Sequence, residues 1–325
     1  MKNYTVRRYT LEDYAIWNAF ISAAKNATFL FHRDFMEYHK DRFEDFSLLV
    51  FENGKLVSVL PANRVGATVY SHQGLTYGGL VLLPKSKLYD TIYLFQSVLK
   101  FLSDNGVSKL FLKQIPSIYC RYSSDEINYL AHICKGEVVM KHNVSVVTLN
   151  QDRLISKSRR ECVNRGKKLG LEIREDGKID LFWNELLIPN LSAKYNSKPV
   201  HSVAEITKLM NNFPDNIRHF NVYNDSKLVC GTTIFITDKV VKPQYISGNE
   251  NNNELGSIDF LYDFLINDVA KGKDYFDFGP SHENNGLQIV KNINFWKESF
   301  GAHSLIQDFY EIKTSNFEML DSILI

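Results

Sequence analysis

The chain repeats one order of elements, and that repeat limits its fold more than any other feature. Around Asn53-Gly54 two strand-like runs meet in FSLLVF-ENG-KLVSVL, and Asn-Gly between apolar runs is the strongest short hairpin signal. Further along stands HFNVY-NDS-KLVCGTTIF. Aligning Lys55-Leu56-Val57 with Lys227-Leu228-Val229 sets Phe51 on Tyr223 and Val50 on Val222, so both halves carry one hairpin. A third strand is expected in each, ending near Tyr70 and Tyr245. An amphipathic helix follows, with Leu88, Ile92, Phe95, Leu99 and Leu102 in the first copy and Ile258, Leu261, Leu265 and Val269 in the second. Asn105-Gly106 and Lys271-Gly272 stop the two helices. KLFLKQIPS (109–117) and KDYFDFGPS (273–281) then match as strands. A helix (123–134 and 286–298) and a closing strand (137–149 and 302–312) complete each copy.

This order predicts duplicated α/β domains, residues 1–150 and 151–325, each with a mixed, largely antiparallel sheet flanked by helices. A generic α/β protein whose short strands look alike is the alternative. The 325 residues suffice for two cores. With 38 basic and 37 acidic side chains there is no general field for nucleic acid or membrane, so an anionic partner needs a local patch. The four cysteines, Cys120, Cys134, Cys162 and Cys230, lack zinc-ligand spacing and read as reduced thiols, with no metal site expected. No apolar run reaches signal-peptide or membrane-span length, which makes the cytoplasm the expected location.

Three segments carry a family resemblance. SKSRRECVNRGKKLGLEIRE (156–175) resembles the basic helix that opens the second domain of Fem-type proteins, and FDFGPSHENNGLQIVKNINFWKESFGA (276–302) resembles their C-terminal signature. YSHQGLTYGGL (70–80) is similar to the first-domain segment written around Tyr-Gly-Gly. On these residues the chain resembles the GNAT superfamily of N-acyltransferases in its doubled form, the Fem-type nonribosomal peptidyltransferases and related FemAB-like acyltransferases. The resemblance implies two tandem GNAT domains with the active site between them, the acyl donor on the second and the amine acceptor against the first. One departure concerns the donor loop: GNENNNELGS (248–257) keeps only Gly248, Gly256 and Ser257 of the Arg/Gln-x-x-Gly-x-Gly/Ala pattern of simple acetyltransferases.

Acyl transfer from a thioester to an amine needs a neutral amine, a donor for the oxyanion and positioning, but no covalent nucleophile. No local Ser/His/Asp or Cys/His constellation stands out, which suits direct transfer. For the donor, Tyr245, Ser247 and the strand they share would offer backbone groups to an extended arm. Gly256 would lead into a helix capped by Ser257, whose free N–H groups could meet a pyrophosphate; an ordinary cap is the alternative. Asn292 and Lys297 complete the donor set, Lys297 as the clamp for phosphate or carboxylate that the resemblance implies. The basic helix could receive a diphosphate or a tRNA acceptor stem, or be a solvated face. A base neutral near pH 7 favours histidine, and His72 and His201 are the candidates. Tyr70, Gln73, Tyr77 and Lys198, the last in NSKPVHSVAEI (196–206), are the acceptor-binding candidates.

The resemblance, to a family whose members include acyltransferases of nucleotide-linked amino sugars, implies an N-acyltransferase that takes acyl-CoA as co-substrate, binds no cofactor and acylates such an amino sugar in polysaccharide synthesis. Two other functions fit the same residues. One is an aminoacyl-tRNA-dependent peptidyltransferase on a cell-wall precursor, for which the balanced charge is unfavourable. The other is a non-catalytic nucleotide-sugar binding protein.

Overall fold

The computed structural model describes residues 3–325, with the side chain of Tyr195 outside the described set. The chain forms two compact units. The first comprises residues up to His142 with Asn284–Gly286 and Ile306–Ile325; the second comprises Asn143–Glu283 and Leu287–Leu305. The expectation of two contiguous halves meeting at residue 150 differs from this division at both chain crossings.

In the first unit, β1 (Tyr4–Arg8), β3 (Leu48–Glu52), β4 (Lys55–Leu60) and β7 (Val81–Leu82) form one sheet in the order β1-β3-β4-β7. A second sheet contains β2 (Glu44–Asp45), β5 (Asn63–Val65), β6 (Thr68–Tyr70), β8 (Lys109–Lys113) and the C-terminal strand, whose Phe309–Lys313 pair with β8. Helix α1 (Tyr14–Ala23) buries Trp17, Phe20 and Ile21. Helix α2 (Leu88–Asp104) buries Ile92, Phe95, Leu99 and Leu102 at the predicted spacing, and α3 (Glu126–Ile133) adds Ile127 and Leu130 to the same core.

The second unit holds a continuous sheet. Its strands are β9 from Asn143 (β9 is Glu137–Thr148), β10 (Glu172–Arg174), β11 (Ile217–Asn224), β12 (Lys227–Ile236), β13 (Val240–Gly248) and β14 (Tyr275–Pro280), in the order β10-β11-β12-β13-β14-β9. Its longer helices are α4 (Lys157–Lys168), α5 (Ile188–Tyr195), α6 (Val203–Asn212), α7 (Ser257–Phe264) and α8 (Lys291–Glu298), with single turns at Ile179–Phe182 and Asn252–Leu255. The last strand of each copy thus completes the other unit's sheet: Val144–Thr148 pair with β14, and Phe309–Lys313 with β8.

The repeat holds down to hydrogen-bond register. Glu52 pairs with Lys55 and Asn224 with Lys227, and all four turn residues, Asn53, Gly54, Asp225 and Ser226, have positive φ, as a two-residue primed turn demands. Each hairpin also carries a bulge at the aligned position, between Val50 and Phe51 and between Val222 and Tyr223.

One expected correspondence is corrected. In the second unit β12 pairs antiparallel with β13; in the first, β4 pairs antiparallel with β7, not with the strand ending at Tyr70. Tyr70 ends β6, the second arm of a short hairpin Asn63–Tyr70 whose outer edge runs parallel to β8. Tyr70 is therefore not the counterpart of Tyr245. The hairpin is an insertion between the two strands of the first unit that correspond to β13 and β14.

Candidate functional site in the second unit

Strands β13 and β14 run parallel but pair only at Val240 with Tyr275 and Val241 with Phe276. Sequence accounts for the divergence. In β13, Pro243 has no N–H for the ladder and stands beside a bulge at Gln244. In β14, Phe278 is the extra residue of a second bulge, and Gly279 takes φ 75°, where only glycine sits without strain. Asp277 fixes this bend, since one carboxylate oxygen accepts from the Gly279 N–H at 2.6 Å and the other from Lys242 Nζ at 3.0 Å.

Beside the free end of β13 lies a cavity of about 660 Å³, with Ile246, Ser247 and Gly248 along one wall. Leu187, Asn190, Leu191 and Lys194 form another, on a helix that Pro189 reshapes. Proline removes an N–H from the helix ladder. The preceding turn, Trp183–Leu187, widens to π geometry, with Ile188 N–H bonding Trp183 O. Ser247 Oγ donates to the Leu186 carbonyl at 3.1 Å, and the Asn190 amide donates to Ser247 Oγ at 2.6 Å and Gly248 O at 2.8 Å. Helix α5 and strand β13 are thus tied along the cavity floor.

The remaining walls come from α7 and α8. Arg159 of the basic helix bonds both oxygens of Asp259 at 2.7 Å, and Trp296 Nε1 donates to the same carboxylate at 2.7 Å. Arg165 donates to the Asn253 carbonyl, and Lys167 pairs with Asp263. Arg159 and Lys167 of the basic helix are thus held by carboxylates of α7.

The structure sorts the donor candidates. Ser247 and Asn292 line the cavity. Tyr245 does not: it is buried against Trp183, and its hydroxyl accepts from the His201 backbone N–H and shares a 2.5 Å hydrogen bond with His201 Nδ1. Gly256, not Ser257, is the N-cap of α7, and Ser257 is fully buried. An added Cβ at Gly256 would stand 2.4 Å from the Cys162 carbonyl oxygen, so the glycine lets α4 pack over this helix end. The expected anion site at Ser257 is closed off by that packing. Lys297 is also buried, its ammonium donating to the Gly279 and Pro280 carbonyls at 2.8 Å each. Burial, with Lys242 nearby, pulls its pKa down to about 7. A solvent-facing phosphate clamp is not what that environment provides.

His201 is brought together with Tyr245 and its carbonyl accepts from Trp183 Nε1, while Lys198 is exposed on the preceding loop. His72 lies in the first unit, 4 % exposed and stacked on His39, and burial lowers its pKa to about 3. So weak a base cannot take a proton efficiently near neutrality, which corrects its expected role. Tyr77 is buried with its hydroxyl on Thr28, and Gln73 is held by Asn63. Asn190, Lys194 and Asp259 also line the cavity although no motif marks them, and Arg159 joins them from the basic helix expected to receive a diphosphate; Pro189 within a helical pattern is the one local signal on α5.

Parallel strands that part after two pairs, with a cavity beside the end of β13, in a duplicated unit, define the class of fold: two tandem GNAT-like domains. Among solved structures, FemX superposes with a TM-score of 0.67, covering 97 % of this chain and 99 % of its own at 10 % identity. L-PGS from Bacillus licheniformis gives 0.59, with 96 % and 94 % covered at 10 % identity. A tandem GNAT protein from the clavulanic acid biosynthesis pathway gives 0.51, with 96 % and 99 % covered, also at 10 % identity. These likenesses are of fold. No protein-family model and no curated protein matches the chain in sequence. Among the described residues no helix is long and apolar enough to cross a membrane.

Proposed function

We propose that the chain is an N-acyltransferase whose second unit holds the acyl donor in the cavity beside Ile246–Gly248. The observation that carries this reading is the separation of β13 from β14 after two paired residues, with Ile246–Gly248 of β13 lining the cavity where an extended arm would lie. Transfer is direct to the acceptor amine, with no acyl-enzyme. The donor is an acyl thioester, acyl-CoA in the first instance, and the acceptor is a nucleotide-linked amino sugar. Release of free thiol from acyl-CoA, dependent on an amino sugar, tests the proposal; no release with any acyl-CoA would remove it.

A second reading rests on the covered N-terminus of α7, where Gly256 and Ser257 leave no opening for a pyrophosphate. It is an aminoacyl-tRNA-dependent transferase acting on a cell-wall precursor, consistent with the fold shared with FemX. Loss of activity on ribonuclease treatment would select it over the first.

A further inference from the structure

We infer that the second unit docks on an anionic lipid bilayer through a face formed by residues 153–160 and 287–297. These two segments lie side by side. Ser156 N–H bonds the Ser299 carbonyl, Arg159 and Trp296 meet on the Asp259 carboxylate, and a Cβ added at Gly301 would stand 3.3 Å from Arg153 Cβ. Their apolar side chains face solvent: Leu154 is 88 % exposed, Leu287 80 % and Phe295 67 %, with Ile289 and Ile293 also exposed. Single exposed apolar residues are ordinary, but four within the nine residues 287–295, with a fifth on the adjoining segment, mark a contact surface.

The charges around these residues favour lipid as the occupant. Neither segment contains a carboxylate, and Lys157, Arg160 and Lys291 are exposed, with Arg153 half-buried. Asp152, Glu161, Glu283 and Glu298 lie just beyond the segments; Glu161 stands 3.8 Å from Lys157, and Glu298 accepts from the Asn294 amide. Anionic headgroups attract each such cation near the surface, and apolar side chains beside the cations sink into the acyl boundary. Along 287–295 the apolar residues are interspersed with Gln288, Lys291, Asn292 and Asn294, so they stand out singly and do not form the continuous apolar core that a partner protein would bury. Leu154, two residues before the N-cap of the basic helix, separates this surface from a merely solvated charged face. Ile293 and Phe295 also line the cavity, so its α8 wall stands at the docking face.

Co-sedimentation of the full chain with vesicles of phosphatidylcholine, alone or with about 30 % phosphatidylglycerol, tests the inference. Binding to the mixed vesicles is expected to exceed that to phosphatidylcholine by about tenfold or more, and to fall as salt is raised. Lys157→Gln combined with Arg160→Gln should weaken it about tenfold or more, and Leu154→Ser or Leu287→Ser about tenfold, each with an unchanged melting temperature. Equal binding to both vesicles, binding to neither, or binding that survives these substitutions overturns the inference. Self-association in sedimentation velocity that the same substitutions abolish, without vesicle binding, would make the face a contact between copies and also overturn it. The inference stands apart from the reading of the cavity as a donor site, since none of the four substituted positions lines it.

Discussion

The two units differ most where parallel strands should separate. In the second, β13 leaves β14 after two pairs and a cavity stands beside it. In the first, the corresponding gap between β7 and β8 is filled by the hairpin Asn63–Tyr70 and the YSHQGLTYGGL loop. Ser71 N–H bonds Phe111 O, Gly78 N–H bonds Lys113 O, and the Lys113 N–H and ammonium bond Ser71 Oγ and the Leu75 carbonyl. Gly78 then bridges to Gln114, again in parallel. The same duplicated gap is thus filled by its own chain in one copy and left as a cavity in the other. The glycines of the loop serve close packing: a Cβ at Gly78 would lie 1.7 Å from the Ser71 carbonyl oxygen, and one at Gly74 would lie 2.0 Å from His39.

That contrast can be broken most sharply at the plug. Gly78→Ala should cost about 4 kcal/mol or more, because the clash is with backbone that other hydrogen bonds hold in place. Denaturant unfolding measures it, and a loss near zero would mean that the loop is no plug.

Acid should act next. Burial holds His72 near 3 and His219 of the second unit near 4, both below the ordinary 6.5. The unfolded chain takes up a proton below about pH 6.5 that the folded chain refuses, so stability falls with pH by about 1.4 kcal/mol per unit for each histidine until its folded value is reached. His72→Gln should remove its share, about 3 kcal/mol between neutrality and pH 4, as read from unfolding at several pH values. An unaltered acid slope would show that His72 is not held neutral.

The smallest effect belongs to the open wedge. Leu191→Trp fills part of the cavity from a half-buried position on α5 and should weaken acyl-thioester binding about tenfold, or about 1.4 kcal/mol, with the melting temperature little changed. Unchanged affinity would move the donor elsewhere.

Hairpins, amphipathic helices and the repeated order were legible in the sequence because they depend on neighbours a few residues apart: Asn-Gly and Asp-Ser set the turns, and Ile92, Phe95 and Leu99 set a helix face. The pairing of each closing strand with the opposite copy's sheet was not, since the apolar pattern of Val144–Thr148 and Phe309–Lys313 marks a strand and one buried face but does not name the partner strand. The candidate site divides in the same way. Ser247 and Asn292 were legible from their place in the repeat and signature. Lys297, Ser257 and His72 have the expected chemistry, but burial turned each away from its expected role.

The sequence by itself determined two copies of one α/β unit, the turns that shape them, and a loop of unusual glycines in the first. Only the tertiary structure decided that this loop closes its wedge while Pro243, Pro189 and Gly279 keep the other open. The physical reason is one of range: local propensity sets where a strand bends, but whether the space so made is filled depends on what long-range packing brings to it.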